Sequence, residues 1–297
     1  MMYRTSFIAS LLLVILTLTT GCPSPPDIRP TTYYAGPTLP LAAVVDEVNA
    51  NNEKLPTLWS RHTFQAWIVD ERQKETYVDG DGELQYRAGG DFRLNCKKVG
   101  LGEIMTLGTN GDTYWLTVRP EVDTMWWGRM RFVGSPCSQQ VPLDPTLIAQ
   151  VLGVGRIDSN FLNLPAPVLR FNNDQDVYMV TWNVRQPTQW AAQREVWYDR
   201  KSLLPVRVML YGEHGRVLLR ADLANHEPVT TQRNADTGAK VATVYTLSFP
   251  DTGSRMILRL RDPLLSRNGF PKDAAFVLPL NKPGVAKVIQ VDEACGP

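Results

Sequence analysis

Two runs of strict alternation on either side of a short polar loop constrain this chain more than any other feature. Val206, Val208 and Leu210 alternate with Arg207, Met209 and Tyr211. After Gly212-Glu213-His214-Gly215 the period resumes as Val217, Leu219, Ala221 and Leu223 against Arg216, Leu218, Arg220 and Asp222. A period of two belongs to a strand with one buried face. Folding the chain at the loop with Tyr211 opposite Arg216 pairs Leu210 with Val217 and Val208 with Leu219, so both apolar sets share one face of a hairpin. A one-residue slip would turn one set to the wrong face, which specifies the register. The other face then sets Arg207 against Arg220, and two like charges in apposition need water around them. Upstream, Trp197-Tyr198-Asp199 runs into the polar turn Arg200-Lys201-Ser202, and Pro205 opens the next strand, where no inner ladder bond is lost. The expectation is a sheet with one oily and one solvated face.

The same period recurs along the chain in Phe64, Ala66 and Ile68; in Phe92, Leu94 and Cys96; in Tyr114, Leu116 and Val118; and in Tyr178, Val180, Trp182 and Val184. Asp79-Gly80-Asp81-Gly82 and Asn110-Gly111-Asp112 read as turns between strands. Val241 to Phe249 and Arg255 to Asp262, joined by Pro250-Asp251-Thr252-Gly253, predict another hairpin, and Phe276 to Leu278 and Val285 to Val291 predict short final strands. Two stretches have a helical period. Leu41, Val44, Val45, Val48, Asn52, Leu55, Leu58 and Trp59 form one stripe over 41–59, with Pro56 marking a kink or a break into a final turn. Pro142 to Val154 carries Asp144 as cap, Pro145 at the first helical position, and Leu147, Ile148, Val151 and Leu152 as an apolar face.

The first 21 residues read as an export signal: Arg4 supplies the basic region, Phe7 to Leu18 the apolar run, and Thr19-Thr20-Gly21 the small-residue site. That run is too short for a comfortable membrane span. Cys22 follows at once, in the place of the lipidated first residue of a mature lipoprotein, although Thr19 stands where a lipobox usually has Leu. The competing reading is an ordinary cleaved signal with an incidental cysteine. Pro23, rather than Asp, after the cysteine favours the outer membrane under the enterobacterial sorting pattern. Residues 22–40 are rich in Pro, Thr and Gly and poor in apolar side chains, so they read as a tether, reaching about 50 Å at ~3 Å per residue. Removing Arg4 with the signal takes one from the 31 basic residues and leaves 30 against 30 acidic ones. A balanced charge without basic runs offers no electrostatic footprint for nucleic acid. The mature chain is long enough to bury a substantial core, as one large β domain or two small ones.

An amphipathic helix, a long antiparallel meander, a mid-chain helix and a closing strand, in that order, resemble the LolA/LolB superfamily of periplasmic lipoprotein carriers and outer-membrane lipoprotein receptors. Val44-Val45-Asp46-Glu47-Val48 to Leu58 is similar to that family's opening helix. Trp197-Tyr198-Asp199 to Leu204-Pro205-Val206-Arg207 is similar to its "Asp, turn, Leu-Pro, strand" hairpin, and Phe276-Val277-Leu278-Pro279 with Pro283-Gly284-Val285 to its "Phe, Pro, Gly-Val" ending. The resemblance implies an α+β, mainly β fold over 41–297: a strongly curved antiparallel sheet forming an incomplete β-barrel, lidded by α-helices, that holds acyl chains. Lipidation at Cys22 makes the membrane-tethered, LolB-like version closer than the soluble carrier. The resemblance leaves a second function open, a regulatory or scaffolding lipoprotein that binds a protein partner with the same fold.

On this reading the ligand lies on the inward faces of successive strands, at Phe64, Phe92, Leu94, Leu116, Val180, Trp182, Val208, Leu210 and Leu219. None of these side chains is charged, so head-group selectivity falls to the mouth, where Arg185, Trp190 and Arg194 sit on a polar loop. Catalysis finds little support. The three histidines, His62, His214 and His226, form no motif, with His214 and His226 expected to be exposed, and there is no nucleophile elbow, Walker loop or His-Glu-x-x-His. Asp79-Gly80-Asp81-Gly82 lacks the remaining ligands of a calcium loop, and without Cys-x-x-Cys spacing neither zinc nor another cofactor is implied. Export puts three thiols besides Cys22 in an oxidising compartment. A Cys96–Cys137 disulfide is expected, with Cys295 as an alternative partner for either and three reduced thiols as the competing state. Of the tryptophans, Trp126 and Trp127 point to opposite faces of one strand, and Trp190, in a polar loop, needs a pocket or a partner.

Overall fold

The computed structural model describes residues 36–69, 73–120, 122–133, 135, 137–139, 141–233, 235–280 and 284–296. The export signal over 1–21, Cys22 and the tether up to residue 35 lie outside the described residues. Helix α1 (Leu41–Asn52) comes first. A meander follows, built of β1 (Thr57–Val69), β2 (Glu75–Arg87), β3 (Asp91–Lys98), β4 (Gly102–Thr109), β5 (Thr113–Val118) and β6 (Thr124–Arg129). Helix α2 (Pro145–Gln150) separates it from a second meander of β7 (Ala166–Asn172), β8 (Val177–Arg185), β9 (Trp190–Asp199), β10 (Pro205–Tyr211), β11 (Val217–Thr230), β12 (Asp236–Phe249) and β13 (Ser254–Leu264). The last strand is β14 (Lys287–Gln290).

All the described strands form one 14-stranded sheet in the order β14-β6-β5-β4-β3-β2-β1-β13-β12-β11-β10-β9-β8-β7. Neighbours run antiparallel, apart from β14 beside β6 and one bridge between β11 and β13. The two meanders join where β1 pairs with β13, Phe64 facing Leu258 and His62 facing Leu260. The fold is therefore mainly β with a few helices, as the two-residue period predicts.

The alternating apolar sets meet on one face in a single cluster that also takes in Val44, Val45 and Val48 of α1 and Ile148 of α2. Burial of this face is the main stabilising term, at about 25 cal/mol per Å² of apolar surface. The outer face is covered at one end. Trp115 and Thr117 of β5 are buried on that side, as are Ala275 and Phe276 of the C-terminal segment, whereas Val291 joins the core cluster. Asp292 holds this segment down, accepting from the backbone N–H and Nε of Arg129 at 2.7 and 3.0 Å. Burial opposes the charge on Asp292, but donors from Gln290 and Arg129 outweigh it and hold the carboxyl below its ordinary range.

Several expectations change at this level. In the 206–223 hairpin, Val208 faces Ala221 and Leu210 faces Leu219, two residues away from the simple register, with an irregularity before Tyr211, which faces Val217. The apolar sets keep their face because the shift is even. Arg216 is taken into the loop, where His214 adopts a left-handed backbone (φ 63°). Arg207 consequently faces Asp222, not Arg220, and its Nε donates to Oδ1 at 2.6 Å. Helix α1 stops at Asn52, short of Trp59: Pro56 disfavours a helical Leu55, and Leu58 and Trp59 belong to β1. Helix α2 covers 145–150 within the expected 142–154, ending before Gly153 (φ +73°). Its cap is as expected, with Asp144 Oδ1 accepting from the Thr146 N–H at 2.8 Å. Phe276 ends a short 3-10 turn rather than forming a strand.

Asp79-Gly80-Asp81-Gly82 is not a turn but the middle of β2. Gly82 lies opposite His62, and Gly80 opposite Phe64, across the β1–β2 ladder. A Cβ at Gly82 would stand 1.8 Å from the Asn95 carbonyl oxygen of β3, and one at Gly80 2.1 Å from that of Lys97. Glycine is needed here for close backbone approach, which hides the strand from a reading that treats Asp-Gly as a turn.

The disulfide is Cys137–Cys295, not Cys96–Cys137. Cys96 is a free, fully buried thiol on the core side of β3, in line with Phe92 and Leu94. Cys137 follows β6, close to the C-terminal segment, where the Gln139 N–H donates to the Val291 carbonyl at 2.8 Å. Among the described residues no helix is long and apolar enough to cross a membrane.

Candidate functional site: an apolar face beneath two helices

All nine side chains expected to line a ligand site fall on the cluster face, and they are packed. Phe64, Phe92, Leu94, Leu116, Val180, Val208, Leu210 and Leu219 are at most 2% exposed, and Trp182 is 8% exposed. Open space lies to one side of them. A half-open cavity of about 630 Å³ is bordered by the end of α1, the α2 helix with its following loop, and the β2–β3 turn. Leu55, Pro56, Tyr86, Met130, Ala149 and Val154 supply its apolar wall; Asn52, Thr109, Thr146 and Gln150 its polar points. Its volume falls within the ~300–1,000 Å³ of small-molecule sites. Phe64 borders a different recess, of about 680 Å³, lined also by Gln65, Gly80, Lys97 and Arg259.

Two asparagines on the buried side of α1 fix its position over the loop that follows α2. Asn49 Nδ2 donates to the Ile157 carbonyl at 2.9 Å, and its Oδ1 accepts from the Ile157 N–H at 2.8 Å. Asn52 Nδ2 donates to the Gly155 carbonyl at 2.8 Å. Both are buried and fully used, as buried amides should be. The helical stripe includes Asn52, so the signal was present in the sequence, but an asparagine in a stripe does not reveal its partner.

The three residues assigned to the mouth separate. Arg185 is the exposed last residue of β8, and Trp190, at the start of β9, is 62% exposed. The loop between them shrinks to four residues, 186–189. Arg194 is not on that loop; it sits within β9, facing Trp182 of β8 and Leu210 of β10. It shares its parity with Val196 and Tyr198, both in the cluster, and so projects from the apolar face. Its guanidinium lies 5.2 Å from the Trp182 ring centroid, and its Nε is buried without a hydrogen-bond partner. Burial lowers its pKa from the ordinary arginine value. Arg194 borders both the 630 Å³ cavity and a smaller one of about 180 Å³.

Of the histidines, His214 is exposed, whereas His226 is half-buried with Nε2 3.0 Å from the Pro205 carbonyl, contrary to expectation. His62 is buried in the core. No group of three or more His, Cys, Asp or Glu side chains among the described residues is placed to hold a metal ion.

No protein-family model matches the sequence, and no curated protein does. Solved structures do. A LolA superfamily protein from Nitrosomonas europaea matches with 13% identity and TM-score 0.48, covering 81% of this chain and 99% of that one. A candidate outer membrane lipoprotein-sorting protein domain from Vibrio parahaemolyticus matches with 13% identity and TM-score 0.45, covering 79% and 95%. A DUF1329 family protein from Desulfovibrio piger matches with 14% identity and TM-score 0.51, covering 81% of this chain and 98% of that one. The fold of this chain is that of the Desulfovibrio piger protein.

Proposed function

We propose that this protein is a lipid-anchored periplasmic lipoprotein that takes up acyl chains of a lipid or lipoprotein between its helices and the apolar face of its sheet. The observation that carries this reading is the 630 Å³ cavity, with apolar walls, where α1 and α2 meet the sheet. The nine packed side chains form the floor beside that cavity, beneath the helices.

A strongly curved, half-barrel sheet is part of the proposal. Helix α2 packs on β4 and β5, and α1 packs on β12. In a flat sheet β4 and β12, five neighbours apart, would be separated by about 24 Å. Yet the Leu152 carbonyl, two residues past α2, accepts from Tyr245 Oη of β12 at 3.5 Å. Curling of the sheet toward the helices reconciles these contacts, and Gly80 and Gly82 permit a tight bend.

Anchoring rests on Cys22 after its apolar run. Each buried methylene contributes about 0.8 kcal/mol, so several acyl chains hold a protein stably on a bilayer. The β3–β4 hairpin tip suits the same surface: Val99 is 98% exposed beside Lys97 and Lys98. Cys22→Ser should move the protein to the soluble fraction; continued membrane binding would place the anchor elsewhere. The chain-binding reading is tested by mass spectrometry of lipid extracted with the purified protein, together with titration by a fluorescent fatty acid. Absence of both co-purified lipid and saturable binding would favour the second reading, a scaffold that binds a protein partner. The close packing of the nine inward side chains is the observation on that side.

A further inference from the structure

Arg194 is out of place for a residue of structural purpose. It projects from the face that carries Val196, Tyr198, Leu210 and Trp182, where a charge is costly unless it is paired. Among the described residues it has no carboxylate partner. The two carboxylates that line the adjoining cavities are engaged elsewhere. Glu53 is 3.4 Å from Arg156, and Asp158 accepts from the Asn160 N–H at 2.9 Å and from Asn163 Nδ2 at 2.8 Å. The Trp182 ring offers its face to the guanidinium, which returns part of the lost hydration but gives Nε nothing to donate to. A planar fork of donors matches a carboxylate in particular.

We infer that Arg194 is the head-group anchor of the site: it pairs with the carboxylate of a long-chain fatty acid whose chain lies in the apolar cavity beside it. The inference rests on the chain-binding reading above and adds to it the chemical class of the ligand. The protein supplies the cation, and the ligand supplies the missing anion. In the unliganded protein the partly buried guanidinium has the Trp182 ring against it and, among the described residues, its Nε has no acceptor, so an anion in the cavity supplies the missing pairing. A neutral chain of the same length fills the cavity without neutralising the charge.

The test measures binding of oleate, oleyl alcohol, lysophosphatidic acid and inorganic phosphate to wild-type protein and to Arg194→Gln, by competition with a fluorescent fatty acid and by thermal unfolding. A charge-assisted pair predicts that the wild type binds oleate about ten- to a hundredfold more tightly than oleyl alcohol. Arg194→Gln should lose that preference while keeping its affinity for the alcohol, and its unliganded melting temperature should equal or exceed that of the wild type. Arg194→Lys, a point charge without the fork, should keep only part of the preference. The oleate-to-alcohol ratio in the wild type needs no variant, so a misfolded Arg194→Gln does not blunt the test. Equal binding of acid and alcohol overturns the anchor but leaves chain binding standing, whereas failure of both to bind overturns chain binding itself. Binding of lysophosphatidic acid without oleate overturns the carboxylate assignment in favour of a phosphate lipid. Protection by inorganic phosphate equal to that by oleate overturns it in favour of a free-anion site.

Discussion

His62 makes a quantitative prediction about how stability depends on pH. It lies on the core side of β1, facing Gly82 on one neighbour and Leu260 on the other, and is 1% exposed. Its Nε2 is 3.0 Å from the Asn95 carbonyl oxygen, which requires Nε2–H to donate, while Nδ1 is buried without a partner. Burial disfavours the charged ring and pushes its pKa down to about 4, against a smaller upward pull from the Asn95 carbonyl. In the unfolded chain the ordinary value is about 6.5. Between these values the unfolded state binds a proton that the folded state refuses, so stability rises with pH across the window. The contribution is complete above about pH 6.5 and is lost progressively as pH falls toward 4. A difference of ~2.5 pKa units at about 1.4 kcal/mol per unit amounts to about 3 kcal/mol, a large part of a typical margin of stability. His62→Gln keeps a donor for the Asn95 carbonyl and removes the titration. Urea unfolding at constant ionic strength from pH 7.5 to 4 should show the wild type losing about 3 kcal/mol more than the variant over that range. His226, also lowered by burial, and the carboxylates contribute to both proteins and cancel in the difference. Parallel pH profiles, or a His62 ring that titrates near 6.5 in the folded protein by NMR, would refute the reasoning.

Two further predictions concern the frame of the site. Peptide mapping without reduction should recover Cys137 linked to Cys295 and Cys96 alkylated only after unfolding; with the bridged cysteines 158 positions apart in sequence, loss of the bridge in Cys137→Ser/Cys295→Ser should cost up to about 5 kcal/mol on the chain-entropy model. A recovered Cys96–Cys137 peptide would contradict the structure. Gly82→Ala should cost several kcal/mol or prevent folding, because its Cβ would lie 1.8 Å from the Asn95 carbonyl, whereas Gly111→Ala, with nothing within 4 Å, should fold normally. Equal melting temperatures for these two variants would remove the case for close strand approach at β2.

How much of this protein is legible in its sequence depends on the range of the interaction. Alternation at 206–223 is local, and it determines that Val208, Leu210, Leu219 and Ala221 share a buried face whichever even register the hairpin takes. The α2 cap is equally local: Asp144 and Pro145 carry their geometry within one turn. Pairing partners are not local. Nothing near Cys137 in the chain says that the C-terminal segment returns beside it, so the thiol closer in sequence is chosen wrongly. Asp79-Gly80-Asp81-Gly82 has the composition of a turn, and only the approach of β3 explains why glycines sit in mid-strand. Arg194 falls between these cases. Its two-residue spacing from Val196 and Tyr198 already places it on the apolar face. That the described residues of this face offer it no counter-charge, and that a cavity opens beside it, follows from how α1, the loop after α2 and β8–β10 come together in space. Periodicity along a strand decides which side a residue faces; only the packing of distant elements decides what waits for it there.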